Sequence, residues 1–262
     1  MTPVTVIPGN SPIVLAQPHS GTFVPEEIAA NLTERGAMLA DTDWHIPELY
    51  EGLVADATIV RAEFNRYVID ANRPPDGASL YPGQNTTGLV PLVDFENQPL
   101  WVEEPDEDEV ARRRDAFHAP YHAALRAELD RVRATHGFAV LYDCHSIQSH
   151  LPFLFEGTLP DLNIGTNGGA TCAQAIERAV AIACANGPYS YVVNGRFRGG
   201  WTTRHYGEPA KGMHAIQMEI AQKTYLEAEA PPFAYSPDTA ADLRDTLAEV
   251  FAGIESTFGD LA

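Results

Sequence analysis

The chain has 262 residues, 45% of them hydrophobic, and a formal net charge of −19. That length can bury one large core, and the acidity excludes nucleic acid and anionic membrane as partners, since both need basic surface. Cys144, Cys172 and Cys184 are an odd set without CxxC spacing, which excludes a disulfide framework and a cysteine zinc knuckle.

Neither the start, MTPVTVIPGN, nor any later stretch reads as a signal peptide or a run of about 18 apolar residues. The expected compartment is the cytoplasm and the expected organisation one domain over 1–262, with oligomeric state open. In chain order, SPIVLAQ (11–17), DATIVRA (56–62), RYVID (66–70), FAVLYD (138–143), PYSYVVNG (188–195) and MHAIQMEIA (213–221) predict short, buried strands. Helical patterns lie between them: PEEIAANLTERG and DTDWHIPELYEGL are short, while residues 105–137 form a long one with a break expected near Pro120. ATCAQAIERAVAIACANG and DTAADLRDTLAEVFAGIES follow. This alternation predicts an α/β sheet with helices on both faces. The segment 74–104, rich in Gly, Pro, Asn and Gln, is longer than an ordinary connection, as functional loops often are.

Ligands in open α/β sheets collect beyond the carboxyl ends of the strands, and four predicted strand ends carry polar chemistry. IVLAQ runs into His19, RYVID into Asn72 and Arg73, and FAVLYD into Cys144 and His145. Period-two alternation in MHAIQMEIA puts Gln217 and Glu219 on one face and Ile216, Met218 and Ile220 on the other. His19 and His145 suit two ligands of a metal preferring nitrogen and oxygen donors. Hydrolytic zinc takes three protein ligands and leaves a position for water. The third ligand is sought in LADTDWH: Asp41 reads equally as a helix cap, and Asp43, in the first helical turn, is preferred.

Other signals fail. His118 and His122 stand at i, i+4, but no Glu follows His118 and Pro120 interrupts the turn, so the pair reads as structural. Ser146 and His145 point apart in extended chain. There is no GxSxG elbow, GxxxxGK[ST] or GxGxxG, which argues against a serine hydrolase and a nucleotide cofactor. Fifteen of the seventeen basic residues are arginine, a bias that genomic base composition also produces, yet Arg provides the planar forks that hold small anions.

Taken in order, QPHSG, DTDWH, RYVIDANRPPDG, YPGQNTTGLVP, YDCHS, GGWTTRHYG and QMEI resemble the N-formylglutamate amidohydrolase family of histidine degradation, from about residue 11 to 225. The resemblance extends to zinc carboxypeptidases and aspartoacylase, and it implies a three-layer α/β/α sandwich around a mixed sheet, of the phosphorylase/hydrolase-like kind. It implies a zinc ion, or another divalent metal, on His19 and His145, with Glu219 as general base toward a zinc-bound water. It implies Asn72 and Arg73 as receivers of a substrate carboxylate, Arg204 for a second carboxylate, and Arg66 or Arg204 beside the oxyanion. Carboxypeptidase relatives carry a Glu three residues after the first histidine where this chain has Thr22, so the third ligand must come from elsewhere, with Asp43 preferred over Asp41.

The function this implies is hydrolysis of N-formyl-L-glutamate to formate and L-glutamate. The alternatives are another small N-acyl-amino-acid amidohydrolase and a non-catalytic binder of a metal or small acid; a pure binder has no need of Glu219. His205 has no assigned role.

Overall fold

Strand β1 (Val4–Ile7) opens the chain, followed by β2 (Ile13–Gln17), helix α1 (Glu26–Ala29), helix α2 (Ile46–Tyr50) and β3 (Thr58–Ala62). After a long loop come α3 (Glu107–Arg113), a π-helical turn (Arg114–His118), α4 (Ala119–His136) and β4 (Ala139–Ile147). Then follow β5 (Leu162–Gly165), α5 (Gln174–Asn186), β6 (Tyr191–Val193), α6 (Trp201–Tyr206), β7 (Met213–Ala221), α7 (Pro237–Glu255) and α8 (Phe258–Leu261). This computed structural model describes residues 2–79 and 83–261; Tyr81 and Pro82, which open YPGQNTTGLVP, lie outside the described residues.

The strands form one mixed sheet in the order β1-β3-β2-β4-β7-β5-β6. Strands β3, β2, β4 and β7 run parallel, β1 is antiparallel to β3, and β5 is antiparallel to β7. Because β2 is followed by β3 on one side while β4 lies on the other, the topology switches between β2 and β4, where a ligand crevice is expected.

Helices cover both faces. Val14, Ala16, Leu141 and Ala215 pack against Tyr121, Leu125, Leu129 and Val132 of α4. Ile13, Leu15, Tyr142, Cys144, Ile216 and Met218 face the opposite layer, with Ile176 and Val180 of α5 and Leu243, Leu247 and Phe251 of α7. The α/β/α sandwich implied above is therefore observed. All nine residues of β4 and all nine of β7 are buried. At about 1.5–3 kcal/mol per fully buried aliphatic side chain, these central strands form a rigid platform.

Three expectations about elements are corrected. RYVID is not a strand but a turn: Asn65 Oδ1 accepts from Tyr67 N at 3.0 Å and Asn65 O from Val68 N at 2.9 Å, while Arg66 pairs with Asp70 across one turn at 2.7 Å. The helical stretch 105–137 is not broken at Pro120. Proline occupies the first turn of α4, where its missing N–H costs least, and the π turn at Arg114–His118 absorbs the change of phase. Asp43 and Asp41 precede α2, whose N-cap is His45, so Asp41 does not cap it. Asp41 Oδ2 instead accepts from Phe95 N at 3.0 Å.

Candidate metal centre and active site

His19 lies two residues beyond β2, His145 lies near the carboxyl end of β4, and Asp43 lies in the loop before α2. Asp43 N donates to His19 O at 3.1 Å, tying the two loops together. One donor atom from each of His19, Asp43 and His145 falls within a group no wider than 4.8 Å, and all three residues are buried. Asp43 Oδ2 lies 3.2 Å from His145 Nδ1 and 3.7 Å from His19 Nδ1. It also accepts from Ser146 N at 3.2 Å, whereas the buried Asp43 Oδ1 has no hydrogen-bond partner.

The residues fit a divalent metal. The N, N, O set suits zinc, and Asp43 Oδ1 is an orphaned acceptor among the donors. The far nitrogen of each ring also meets a carboxylate, the arrangement that orients metal-bound histidines. His19 Nε2 is hydrogen-bonded to Asp70 Oδ1 at 2.7 Å, and His145 Nε2 lies 3.1 Å from Asp143 Oδ1 as a charge contact. Thr203 Oγ1 anchors Asp143 by donating to its Oδ2 at 3.0 Å.

The local field calls for positive charge. Burial alone favours a neutral His145, but Asp143 foremost, with Asp43 and Glu219, raises its pKa well above the ordinary value. Burial likewise works against the Asp43 and Asp70 carboxylates. Hydrogen bonds from the two histidines overcome it at Asp43, and Arg73, His19 and Arg66 overcome it at Asp70, so both are held below the usual range. Asp70 and Asp143 received no role in the sequence reading, although they sit inside the RYVIDANRPPDG and YDCHS segments already singled out.

Glu219 stands directly opposite His145 in the β4–β7 register, and Gln217 opposite Asp143. Side chains of directly paired residues share a face, so the sheet itself places Glu219 beside the histidine. Its Oε2 accepts from Gln217 Nε2 at 2.9 Å, and Gln217 Oε1 accepts from Gly200 N at 2.7 Å. Burial pushes the Glu219 carboxyl up to about 7; the charge of His145 opposes that rise, while Asp43 and Asp143 add to it.

Asn72 and Arg73 follow the Asp70 turn. Asn72 Oδ1 accepts from Thr202 N at 2.9 Å, and its amide nitrogen lies 3.0 Å from His145 Nε2. A Cβ on Gly200 would come within 2.3 Å of that amide nitrogen, so the close approach of α6 requires glycine there. Arg73 donates from Nε to Thr87 O at 2.8 Å and from Nη2 to Thr87 Oγ1 at 3.0 Å. The π turn brings His118 and His122 to this loop, where their Nε2 atoms bond Arg73 O at 3.0 Å and Ala71 O at 2.8 Å. Burial lowers both histidine pKa values. The pair is not part of the His19 cluster; it braces the Asn72–Arg73 backbone.

His19, Arg66, Asn72, Arg73, His145 and Glu219 line one cavity of about 230 Å³. Arg66 is buried, pairs with Asp70 at 2.7 Å, lies 3.7 Å from Asp43 and stacks 4.7 Å from the Phe95 ring centroid. Arg204, in the last turn of α6, donates Nε to Gly199 O at 2.8 Å and lies outside the described cavity wall. His205 stacks on Trp201 with centroids 4.4 Å apart, next to His118 and His122. Arg196 is on the wall and escaped the sequence reading.

The sequence profile of the N-formylglutamate amidohydrolase family matches residues 11–226. A relative from Pseudomonas putida named N-formylglutamate deformylase is 45% identical over 250 residues, covering 94% of this chain and 93% of the relative. One of the same name from Pseudomonas aeruginosa is 43% identical with the same coverage. Among solved structures, an N-formylglutamate amidohydrolase from Ralstonia eutropha JMP134 superposes with a TM-score of 0.83 at 24% identity, covering 99% of this chain and 100% of that one. A gene product of Agrobacterium tumefaciens gives 0.71 at 18%, covering 97% and 95%. At those identities the two structures speak for the fold alone.

Proposed function

The chain belongs to the N-formylglutamate amidohydrolase family, and we propose that it hydrolyses N-formyl-L-glutamate to formate and L-glutamate with one divalent metal, zinc, on His19, Asp43 and His145. The carrying observation is the buried His19–Asp43–His145 group beside Glu219, in the cavity that also presents Asn72 and Arg73. The described wall carries three arginines and a single carboxylate in a chain of net charge −19. With a divalent cation offsetting the Asp43, Asp70 and Asp143 carboxylates behind it, such a wall suits a small dianion.

When bound, a divalent cation supplies Lewis acidity toward a carbonyl oxygen and acidifies water. The chain's own residues supply the rest. Glu219, buried and set directly opposite His145 by the sheet register, is placed to serve as the base: it takes the proton of the attacking water and delivers it to the departing amine nitrogen. Arg66, fixed by Asp70 and Phe95, contributes positive charge beside the developing oxyanion. Asn72 and Arg73 hold a substrate carboxylate, Arg73 through its planar fork.

One domain spanning 1–262 and a cytoplasmic location complete the proposal; three buried, free cysteines support a reducing compartment. The test is release of formate and glutamate from N-formyl-L-glutamate before and after chelation. Turnover that chelation abolishes and zinc restores is expected; turnover indifferent to exhaustive chelation would remove the metal from the reading. A wild-type protein that binds N-formyl-L-glutamate without releasing formate would instead be the non-catalytic binder.

A further inference from the structure

We propose that Gln217 is the positioning residue for the general base, its side-chain amide holding one oxygen of the Glu219 carboxylate so that the other is left to take the proton. The role rests on the reading of Glu219 as base in the proposed hydrolysis. Alternation places both residues on one face of β7, with Gln217 opposite Asp143 and Glu219 opposite His145. Both are buried and both line the cavity.

The direction of the contact follows from the main chain. A side-chain amide can be turned over without changing its shape, and its partners decide which end is oxygen and which is nitrogen. Gly200 N lies 2.7 Å from Gln217 Oε1. A main-chain N–H only donates, so the oxygen of Gln217 faces Gly200 and its NH2 faces Glu219, donating to Oε2 at 2.9 Å. Thr202 N fixes Asn72 in the same way: it donates to Asn72 Oδ1 at 2.9 Å and leaves the NH2 toward His145. The segment from Gly200 to Thr202 therefore sets two amides at once, one that receives substrate and one beside the base.

Glu219 needs such a hold. Its side chain has several staggered rotamers, and proton transfer requires the carboxylate within about 2.6–3.2 Å of the proton's heavy atom. Among the described residues, Gln217 is the one side chain that donates a hydrogen bond to this carboxylate. Arg66 is committed to Asp70 at 2.7 Å instead. A neutral amide selects one rotamer and leaves the carboxylate its charge, whereas a paired arginine would weaken it as a base.

Gln217→Met keeps the length of the side chain and removes both hydrogen bonds. In the metal-loaded enzyme its kcat on N-formyl-L-glutamate should fall by about 10- to 100-fold, the size expected for a misplaced catalytic group, with KM and metal content near wild type. Gln217→Asn, too short to span both partners, should fall in the same direction and serves if the Met variant does not fold. A raised KM with kcat intact would make Gln217 a substrate contact and overturn the assignment.

The decisive comparison is the double variant. If Gln217 acts through Glu219, then Gln217→Met combined with Glu219→Gln should be no slower than Glu219→Gln alone, whereas losses that multiply would overturn the role. A kcat that Glu219→Gln leaves intact removes the base, and this role with it. A kcat that Glu219→Gln lowers and neither Gln217 variant lowers removes the positioning role alone. The contact is also read without turnover: in protein labelled for NMR at its glutamine side chains, the Gln217 NH2 signals should move in Glu219→Gln, where a neutral oxygen replaces the charged one. Unmoved signals would overturn the contact itself.

Discussion

The two halves of the cavity are built by different means. On one side, His145 and Glu219 are directly paired residues of β4 and β7, so backbone register fixes their separation, and His19 follows β2 by two residues. On the other side, Asn72, Arg73 and Thr87 belong to a long loop. There the backbone is held by side chains: Asp70 Oδ1 accepts from Asn72 N at 2.8 Å, and His118 and His122 bond the carbonyls of Arg73 and Ala71. A sheet tolerates a lost side chain without moving its neighbours, whereas a braced loop moves when a brace is cut. Chemistry is therefore expected to depend on single groups of the sheet half, and recognition on the collective integrity of the loop half.

The largest single effect should come from the sheet half. Glu219→Gln keeps volume and the Gln217 contact but removes basicity, so kcat should fall by about 10²–10⁴-fold with KM and metal content nearly unchanged. Near-wild-type kcat would break the comparison at its strongest point. Next comes the brace shared by both halves: Asp70→Asn weakens the hold on His19 and on Arg66, and metal affinity should drop by about 10–100-fold in a competitive chelator titration. Arg73→Lys should cost about tenfold in kcat/KM by losing one limb of a bidentate contact, with metal content unchanged. Its penalty should shrink on an α-amide substrate, and an equal penalty on both would assign Arg73 a structural role.

The smallest effect concerns stability. The Glu219 carboxyl titrates near 7 in the folded chain, above the ordinary value of 4.5, so the folded state holds more protons between those values. Its contribution to stability is fully present below about 4.5 and is lost as pH rises through about 7. In chelator-treated protein, Tm should therefore fall from about pH 5 to pH 8 by more in wild type than in Glu219→Gln. Asp41, also pushed to about 7 by burial, shifts both proteins alike and cancels in the difference. Parallel Tm curves would mean that Glu219 is not held neutral by its surroundings.

Legibility in the sequence followed the same divide. Strands β2, β3, β4 and β7 announce themselves as apolar runs, and the alternation in β7 assigned Glu219 to the face it occupies. His19, Asp43 and His145 were named together, and the structure brings donor atoms of all three into one buried group. Strands β1 and β5, of four residues each, were not expected from the sequence, although the three-residue β6 was, within PYSYVVNG. RYVID reads as a strand because Tyr67, Val68 and Ile69 are β-formers, yet Asn65 and the Arg66–Asp70 pair turn the chain. Asp70 and Asp143 were given no role because a carboxylate that supports a histidine has no spacing rule of its own. Arg196 reaches the wall through a loop whose path is set by tertiary contacts with residues 85 and 154, which no local pattern encodes.

The central claim is that His19, Asp43 and His145 form one metal centre with Asp43, and not Asp41, as the carboxylate. Elemental analysis of purified wild-type, Asp43→Ala and Asp41→Asn proteins tests it most directly. About one equivalent of divalent metal in wild type and in Asp41→Asn, with loss of the metal from a folded Asp43→Ala, is the predicted result. Full metal in Asp43→Ala, or loss confined to Asp41→Asn, would contradict it.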